Sequence, residues 1–210
     1  WKDRTELIVD GRIPVGHRGI VIRKRLDNPP LNAGYAARYF LNRAGIEVTG
    51  EVRTGSVPVK VETLARNTSP ALSSVVSDVN KLSNNFMAEH LVRTMGVESG
   101  GSGDWKSGSQ VVSEFLKREL QIDGFRYVNG SGLFGNTAFS AGDIVKLLRH
   151  MYRKKTIFPE FISSLAIGSA DGTLSRRMKR VEGAQVRAKT GTLDGVVCLS
   201  GYLILESGQT

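Results

Sequence analysis

Cysteine is nearly absent from these 210 residues. Cys198 stands alone, so no internal disulfide can form, and its apolar neighbours mark it as a small strand hydrophobe. Histidine is almost as scarce, and His17, His90 and His150 make no metal-ligand spacing. Neither a metal nor a cofactor is expected. No apolar run approaches the roughly 20 residues that span a bilayer. The opening stretch WKDRTELIVDGR is polar and carries neither a methionine nor a signal-peptide apolar region, as a mature or trimmed chain also would. Zinc-finger, RNA-recognition and helix-turn-helix signatures are missing, so no nucleic-acid partner is expected. There is no internal repeat.

What is present reads as a globular chain. With 40% hydrophobic and 23% charged residues it has the means to bury a core. The formal charge of +9 gathers in two clusters, Arg149, Arg153, Lys154 and Lys155, then Arg176, Arg177, Lys179 and Arg180. Such clusters read as a solvated surface, or as a face for an anionic polymer of the cell envelope.

Pattern along the chain mixes helices with strands. TELIVDG and GIVIRKRL read as extended pieces closed by Asn28-Pro29-Pro30. LNAGYAARYFLNRAG has helical periodicity and ends at Gly45. IEVTGEVRTG and VPVKVETLA read as two strands. Ser69-Pro70 reads as a helix start, followed by a stripe through Leu72, Val75, Val76, Val79 and Leu82. Ser83, Asn84 and Asn85 interrupt it, and a second stripe runs from Phe86 to Met95 with Gly96 as its stop. A Gly/Ser loop precedes an amphipathic helix through Val111, Val112, Phe115, Leu116 and Leu120. FRYV reads as a short strand, and Ser140 with Asp143 as a capping box. QVRAKTG and VCLSGYLILE read as two strands joined across Leu193-Asp194-Gly195.

Three site readings compete for Lys189. Gly183 to Thr190 falls one residue short of a Walker A loop, since Ala188 stands where glycine is needed and no helix follows. A nucleophile elbow G-x-S-x-G is absent, because Gly130-Ser131-Gly132 has the wrong spacing. Serine–lysine acyl transfer combines S-x-x-K, S-x-N and K-T-G. Ser83-Asn84-Asn85 alone could be a helix cap, and Lys189-Thr190-Gly191 alone is a common tripeptide. In that order, with one at a joint between helices and one on a strand, they point to acyl transfer.

Four blocks carry a resemblance. KLSNNFMAEHLVRTMG, VNGSGLFGNTAFSA, ADGTLSRRM and RAKTGTLDGVVCLSGY resemble, in order, blocks of the penicillin-binding protein 4-type D-alanyl-D-alanine carboxypeptidases and endopeptidases, a family of serine DD-peptidases. The resemblance runs from about Pro29 to Glu206 and is weak before that. It implies an α+β, penicillin-recognising transpeptidase (serine β-lactamase-like) fold, an antiparallel sheet flanked by helices, with the site between sheet and helical lobe. Ser83 would relay a proton to the leaving amine, Asn85 would orient the substrate peptide, and Lys189 would add positive charge beside the relay. Thr190 and Thr192 would hold the substrate's terminal carboxylate through their hydroxyls. The Thr192 N–H, on an extended strand, would be one of two oxyanion-hole donors, and Gly191 between the threonines would belong to the substrate-binding set.

One block of the family pattern is missing, because no lysine has a serine three positions before it. The expectation is therefore residues 29–210 as the C-terminal part of a DD-peptidase domain, without the nucleophile segment and the last strand and helix. Residues 1–28 would lead in from a missing N-terminal or inserted domain. Asn129 and Phe134-Gly135 also depart from the family's Asp and Ser-Arg. The resemblance further implies peptidoglycan stem peptides as substrates and β-lactams as covalent inhibitors of the complete enzyme. It implies a periplasmic or extracytoplasmic location with peripheral envelope association, and the missing segment of the same polypeptide as partner. The alternatives are a serine β-lactamase, to whose pattern the GSGL and ADGTL blocks are foreign, and a non-catalytic relative that binds anionic wall polymer.

Overall fold

The computed structural model describes residues 8–22, 26–178 and 183–205. Lys179 and Arg180 of the second basic cluster, Glu206, and parts of TELIVDG and GIVIRKRL lie outside them. The chain divides into two compact units, Trp1–Arg66 and Asn67–Thr210.

Among the described residues of the first unit there is one helix, α1 (Pro29–Arg43), which opens on Asn28, whose side chain accepts from the Leu31 N–H at 3.1 Å. Pro29 and Pro30 sit inside its first turn, where a missing N–H costs no hydrogen bond, so the helix starts earlier than the periodicity suggests. Gly45, at φ +82°, follows the last turn. The two strands read in 46–65 do not form. Residues 46–52 fold back along α1 instead: the Ile46 N–H donates to Leu41 O at 2.9 Å and the Val48 N–H to the Asn42 side chain at 3.1 Å. Val57, Val59, Val61 and Leu64 stay exposed with no ladder partner among the described residues, and a lone strand is not stable.

The second unit holds the rest. Helix α2 (Leu72–Leu82) begins at Ala71, not Ser69, because the Ser69 hydroxyl is spent on the Pro70 carbonyl and Ala71 O is the first to accept from the helix. Helix α3 (Asn85–Glu98) runs through Gly96 rather than stopping there. The reason is packing. Helix α4 (Trp105–Leu120) crosses α3 where Gly96 meets Gly108, and a Cβ on Gly96 would lie 2.8 Å from the Gly108 nitrogen. Two glycines let the helix backbones touch.

The capping box between Ser140 and Asp143 starts α5 (Ala141–Arg153) as expected. FRYV contributes only one bridge, Arg126 to Ala138. Helix α6 (Phe158–Ser164) and the two-residue strand β1 (Ala166–Ile167) carry too little pattern to be read in advance. Strands β2 (Ala184–Leu193) and β3 (Val196–Leu205) form the expected hairpin. Its two-residue turn is Asp194-Gly195, with Gly195 at φ +71°. The sheet is antiparallel throughout, in the order β1-β2-β3.

Two small cores hold this unit. Leu116, Leu120 and Ile122 gather Val112, Phe125, Phe139 and Leu147. Ala166, Leu174 and Ala188 gather Val186 under the sheet. The Asn80 amide donates to the Ser164 hydroxyl at 2.8 Å, tying α2 to α6. The Tyr202 hydroxyl donates to Leu148 O at 2.7 Å, tying β3 to α5.

The glycine crossing yields a test. Gly108→Ala would raise helix propensity by about 1 kcal/mol in isolation, but its Cβ would sit inside van der Waals contact of the Val92 carbonyl. Overpacking of about 1–3 kcal/mol should win. Calorimetry should show a lower melting temperature, and an unchanged or higher one would mean that α3 and α4 can part freely.

Candidate active site

The last turn of α2 and the first turn of α3 meet at two residues, Ser83 and Asn84. Ser83 takes the left-handed conformation, φ 55° and ψ 50°, which costs a non-glycine residue about 1 kcal/mol. Asn84, not Ser83, caps α3, its side-chain oxygen accepting from the Met87 N–H at 3.1 Å. The cap explanation therefore belongs to Asn84. The Ser83 hydroxyl is left for other work.

Across from it, β2 delivers Lys189. Its ammonium donates to Ser83 Oγ at 2.9 Å and to Thr190 O at 2.6 Å. These partners are 106 residues apart in sequence. Burial lowers the Lys189 pKa from the ordinary lysine value, with Cys198 acting in the opposite direction. Because the ammonium donates to the Ser83 oxygen, the Ser83 proton points elsewhere, toward whatever faces the joint.

The threonines part company. Thr190 is buried, and its hydroxyl donates to Thr173 Oγ1 at 2.8 Å, so that proton is committed within the fold. Thr192 is exposed, and strand alternation puts it on the same face as Thr190. Gly191 lies opposite Cys198 in the register, and Lys189 opposite Ser200. Asn85 is exposed on the first turn of α3, and its amide has no partner among the described residues. So Ser83 and Lys189 are joined directly. Thr190, Gly191 and Thr192 follow Lys189 along one strand, and Asn85 stands on the helix side.

Two more residues shape the surroundings: Glu89, which sequence reading passed over, and Asn129, which it marked only as a departure from the family pattern. Glu89, one turn beyond Asn85, accepts from the Ser131 N–H at 2.9 Å, from the Gly130 N–H at 3.3 Å and from the Ser131 hydroxyl. It clamps the GSGL loop to α3. Asn129, 1% exposed, accepts from the Gly132 N–H at 2.7 Å and donates to Phe134 O. An amide does there what only a group with both donor and acceptor can do. The only signal for Glu89 is its place one turn after S-x-N. Nearby, burial and then the Glu89 charge push the Tyr127 pKa up to about 12.

Comparison with known proteins gives a consistent answer. The D-Ala-D-Ala carboxypeptidase 3 (S13) family model matches residues 2–210. The chain is 35% identical over 214 residues to the D-alanyl-D-alanine carboxypeptidase of Actinomadura sp. (strain R39), covering 97% of this chain and 39% of that protein. It is 26% identical over 186 residues to the D-alanyl-D-alanine carboxypeptidase DacB of Haemophilus influenzae, covering 83% and 38%. The crystal structure of penicillin binding protein 4 (dacB) from Haemophilus influenzae, complexed with a novel β-lactam, aligns with a TM-score of 0.74 at 23% identity. That alignment covers 87% of this chain and 43% of the other. It bears on the fold, which is the expected α+β, antiparallel-sheet and helix arrangement. The chain spans about two fifths of the length of the curated relatives it matches.

The half-buried ammonium has a stability consequence. Its folded-state pKa lies below the unfolded one, so the protonated form is disfavoured by folding at neutral pH, and stability recovers as pH rises from the folded value toward the unfolded one. Lys189→Met keeps the stem and removes the charge. Its melting temperature at neutral pH should match or exceed that of the parent. A loss of more than about 4 °C, roughly 1 kcal/mol for a chain of this size, would show that the two hydrogen bonds outweigh desolvation.

Proposed function

Because this chain belongs to the D-Ala-D-Ala carboxypeptidase 3 (S13) family, we propose that it carries the proton-relay and substrate-strand half of a serine DD-peptidase site. The observation that supports this most directly is the hydrogen bond of Lys189 Nζ to Ser83 Oγ, which joins S-x-N to K-T-G.

In this reading a serine from an S-x-x-K segment, supplied from outside these residues, attacks the carbonyl carbon between two D-alanines of a peptidoglycan stem peptide. A C–O bond forms as the attacking hydroxyl gives its proton to the lysine of its own S-x-x-K segment, the C–N bond breaks, and the leaving amine must take up a proton. The Ser83 hydroxyl is free to give it, because the Lys189 ammonium already donates to its oxygen. Lys189 then restores that proton and stabilises the negative charge that develops on Ser83 during the transfer. Its lowered pKa makes this donation easier than from an ordinary lysine. Water completes the cycle by hydrolysing the acyl-enzyme. Penicillin enters as a covalent substrate mimic whose acyl-enzyme persists.

Thr192 and its N–H serve the terminal carboxylate and the oxyanion. Thr190 serves the strand from within, through Thr173. Asn85, exposed and with no partner among the described residues, is available to the substrate's peptide groups. Cleavage of D-alanyl cross-links uses the same steps with a longer leaving amine, and a cell-wall substrate places the protein outside the cytoplasm. No helix of the described residues is long and apolar enough to cross a membrane. The domain reading, with 29–210 as the C-terminal part of the catalytic domain, follows from the same proposal.

The relay predicts non-additivity. In the full-length protein, Ser83→Ala and Lys189→Ala should each slow acylation by a fluorescent penicillin about 100-fold, on the order of 3 kcal/mol. The double variant should be little worse than either alone, because both remove one unit. Acylation should also fall on the alkaline side at a pH below the ordinary lysine range, as Lys189 loses its proton. Multiplicative losses, or unchanged labelling in folded variants, would rule the relay out.

A further inference from the structure

The ADGTL block, Ala170 to Leu174, has no part in the chemistry above, yet it touches both sides of the site. Asp171 is the link to the helix side. One carboxylate oxygen pairs with Lys81, two residues before Ser83 in the last turn of α2. This is the one ion pair among the described residues. The other oxygen accepts from the Ile167 N–H of β1 at 2.7 Å. Strand β1 in turn pairs Ile167 with Arg187 and Ala166 with Ala188, the residue before Lys189. One carboxylate thus ties the helix end that carries Ser83 to the strand that flanks Lys189.

The next three residues fill the same gap. Gly172 sits at φ +53°, and a Cβ there would lie 2.6 Å from the Lys81 carbonyl oxygen and 3.0 Å from the Ala166 Cβ. The turn's backbone therefore rests on α2 and β1 at once. Thr173 Oγ1 receives the Thr190 hydroxyl at 2.8 Å. Leu174 is fully buried against Ala166 and Ala188.

We propose that the Asp171–Leu174 turn is the spacer that fixes the Ser83–Lys189 separation, with Asp171 as its positioning residue. Catalytic importance for that separation rests on the relay reading above, whereas the spacing itself does not. The Lys81 and Asp171 side chains are 22% and 36% exposed, and pairs so wetted contribute little to global stability. What the tie supplies is direction. It pins the final turn of α2 just where Ser83 leaves the helix in a left-handed conformation.

The test uses the two ends of the tie, Lys81→Met and Asp171→Ala, in the full-length protein. The first removes a positive charge and the second a negative one, so a purely electrostatic influence would move the Lys189 titration in opposite directions. Loss of spacing admits water to the ammonium in both, and its pKa should rise toward the ordinary lysine value in both. NMR of isotopically labelled lysine side chains, assigned with Lys189→Arg, reads this directly. Acylation by a fluorescent penicillin should fall by about 100-fold in each, the scale of an ångström's misplacement. The double variant should match the singles. Opposite shifts, or an unmoved Lys189 titration in both folded variants, would overturn the spacer. Parallel shifts in Lys189, in a protein whose parent form is not acylated, would keep the spacer and reject the relay.

Discussion

An ammonium taken half out of water must find its hydrogen bonds in the protein, and most of this unit's architecture around β2 meets that demand for Lys189. Its donors go to the Ser83 hydroxyl and the Thr190 carbonyl. The first partner fixes where two helices must meet, and the second fixes the strand on which the lysine rides. Neither carries a formal negative charge. That choice keeps the site electrically open, since a carboxylate in the same place would hold the proton and raise the pKa. Burial without an ionic partner lowers it instead.

The surrounding framework reaches the needed closeness with backbone more than with bulk. Buried hydrophobic residues are few among the described residues, and two of them, Ala166 and Ala188, are alanines. In place of a thick core, glycines allow main chains to touch: Gly96 against Gly108 between α3 and α4, Gly172 against the end of α2, Gly201 against Ala188 across the β2–β3 ladder. A contact between backbones has less rotameric freedom than one between long side chains. It therefore places Ser83 and Lys189 more narrowly than a larger, softer core could. The cost is intolerance, because even a methyl group at these points has nowhere to go.

Much of this could be read from the chain. The β2–β3 hairpin showed itself through Asp194-Gly195 between apolar runs, α5 through its capping box, and the S-x-N joint through two stripes broken by polar residues. The four ordered blocks pointed to the fold that the family match and structural neighbour bear out. Other features were illegible for physical reasons. The segments at 46–65 alternate like strands, but alternation describes a half-buried surface and does not supply a partner to pair with. Gly96 looked like a helix stop because a single sequence cannot show another helix pressing on it. Ser69-Pro70 had the composition of a cap, yet its hydroxyl turned to a neighbouring carbonyl. The commitment of Thr190 to Thr173, and of Glu89 to the GSGL loop, joins residues 17 and 41 to 42 positions apart. No periodicity encodes such pairs.

The same closeness explains why the K-T-G strand can be both structural and chemical. Alternation along β2 sends Ala188 and Thr190 into the fold, where Leu174 and Thr173 receive them, and leaves Lys189 and Gly191 on the other face. The inward residues anchor the strand at two consecutive same-face positions. With the strand held on both sides of Lys189, the only freedom left to the ammonium is that of its own four-carbon stem, and Ser83 and the Thr190 carbonyl take that up. The contact of Lys189 with Ser83 is therefore set by the fold itself. On the proposed relay, a proton path assembled in advance adds no reorganisation cost at the moment of reaction. The left-handed turn at Ser83 is strain that the fold carries at this joint.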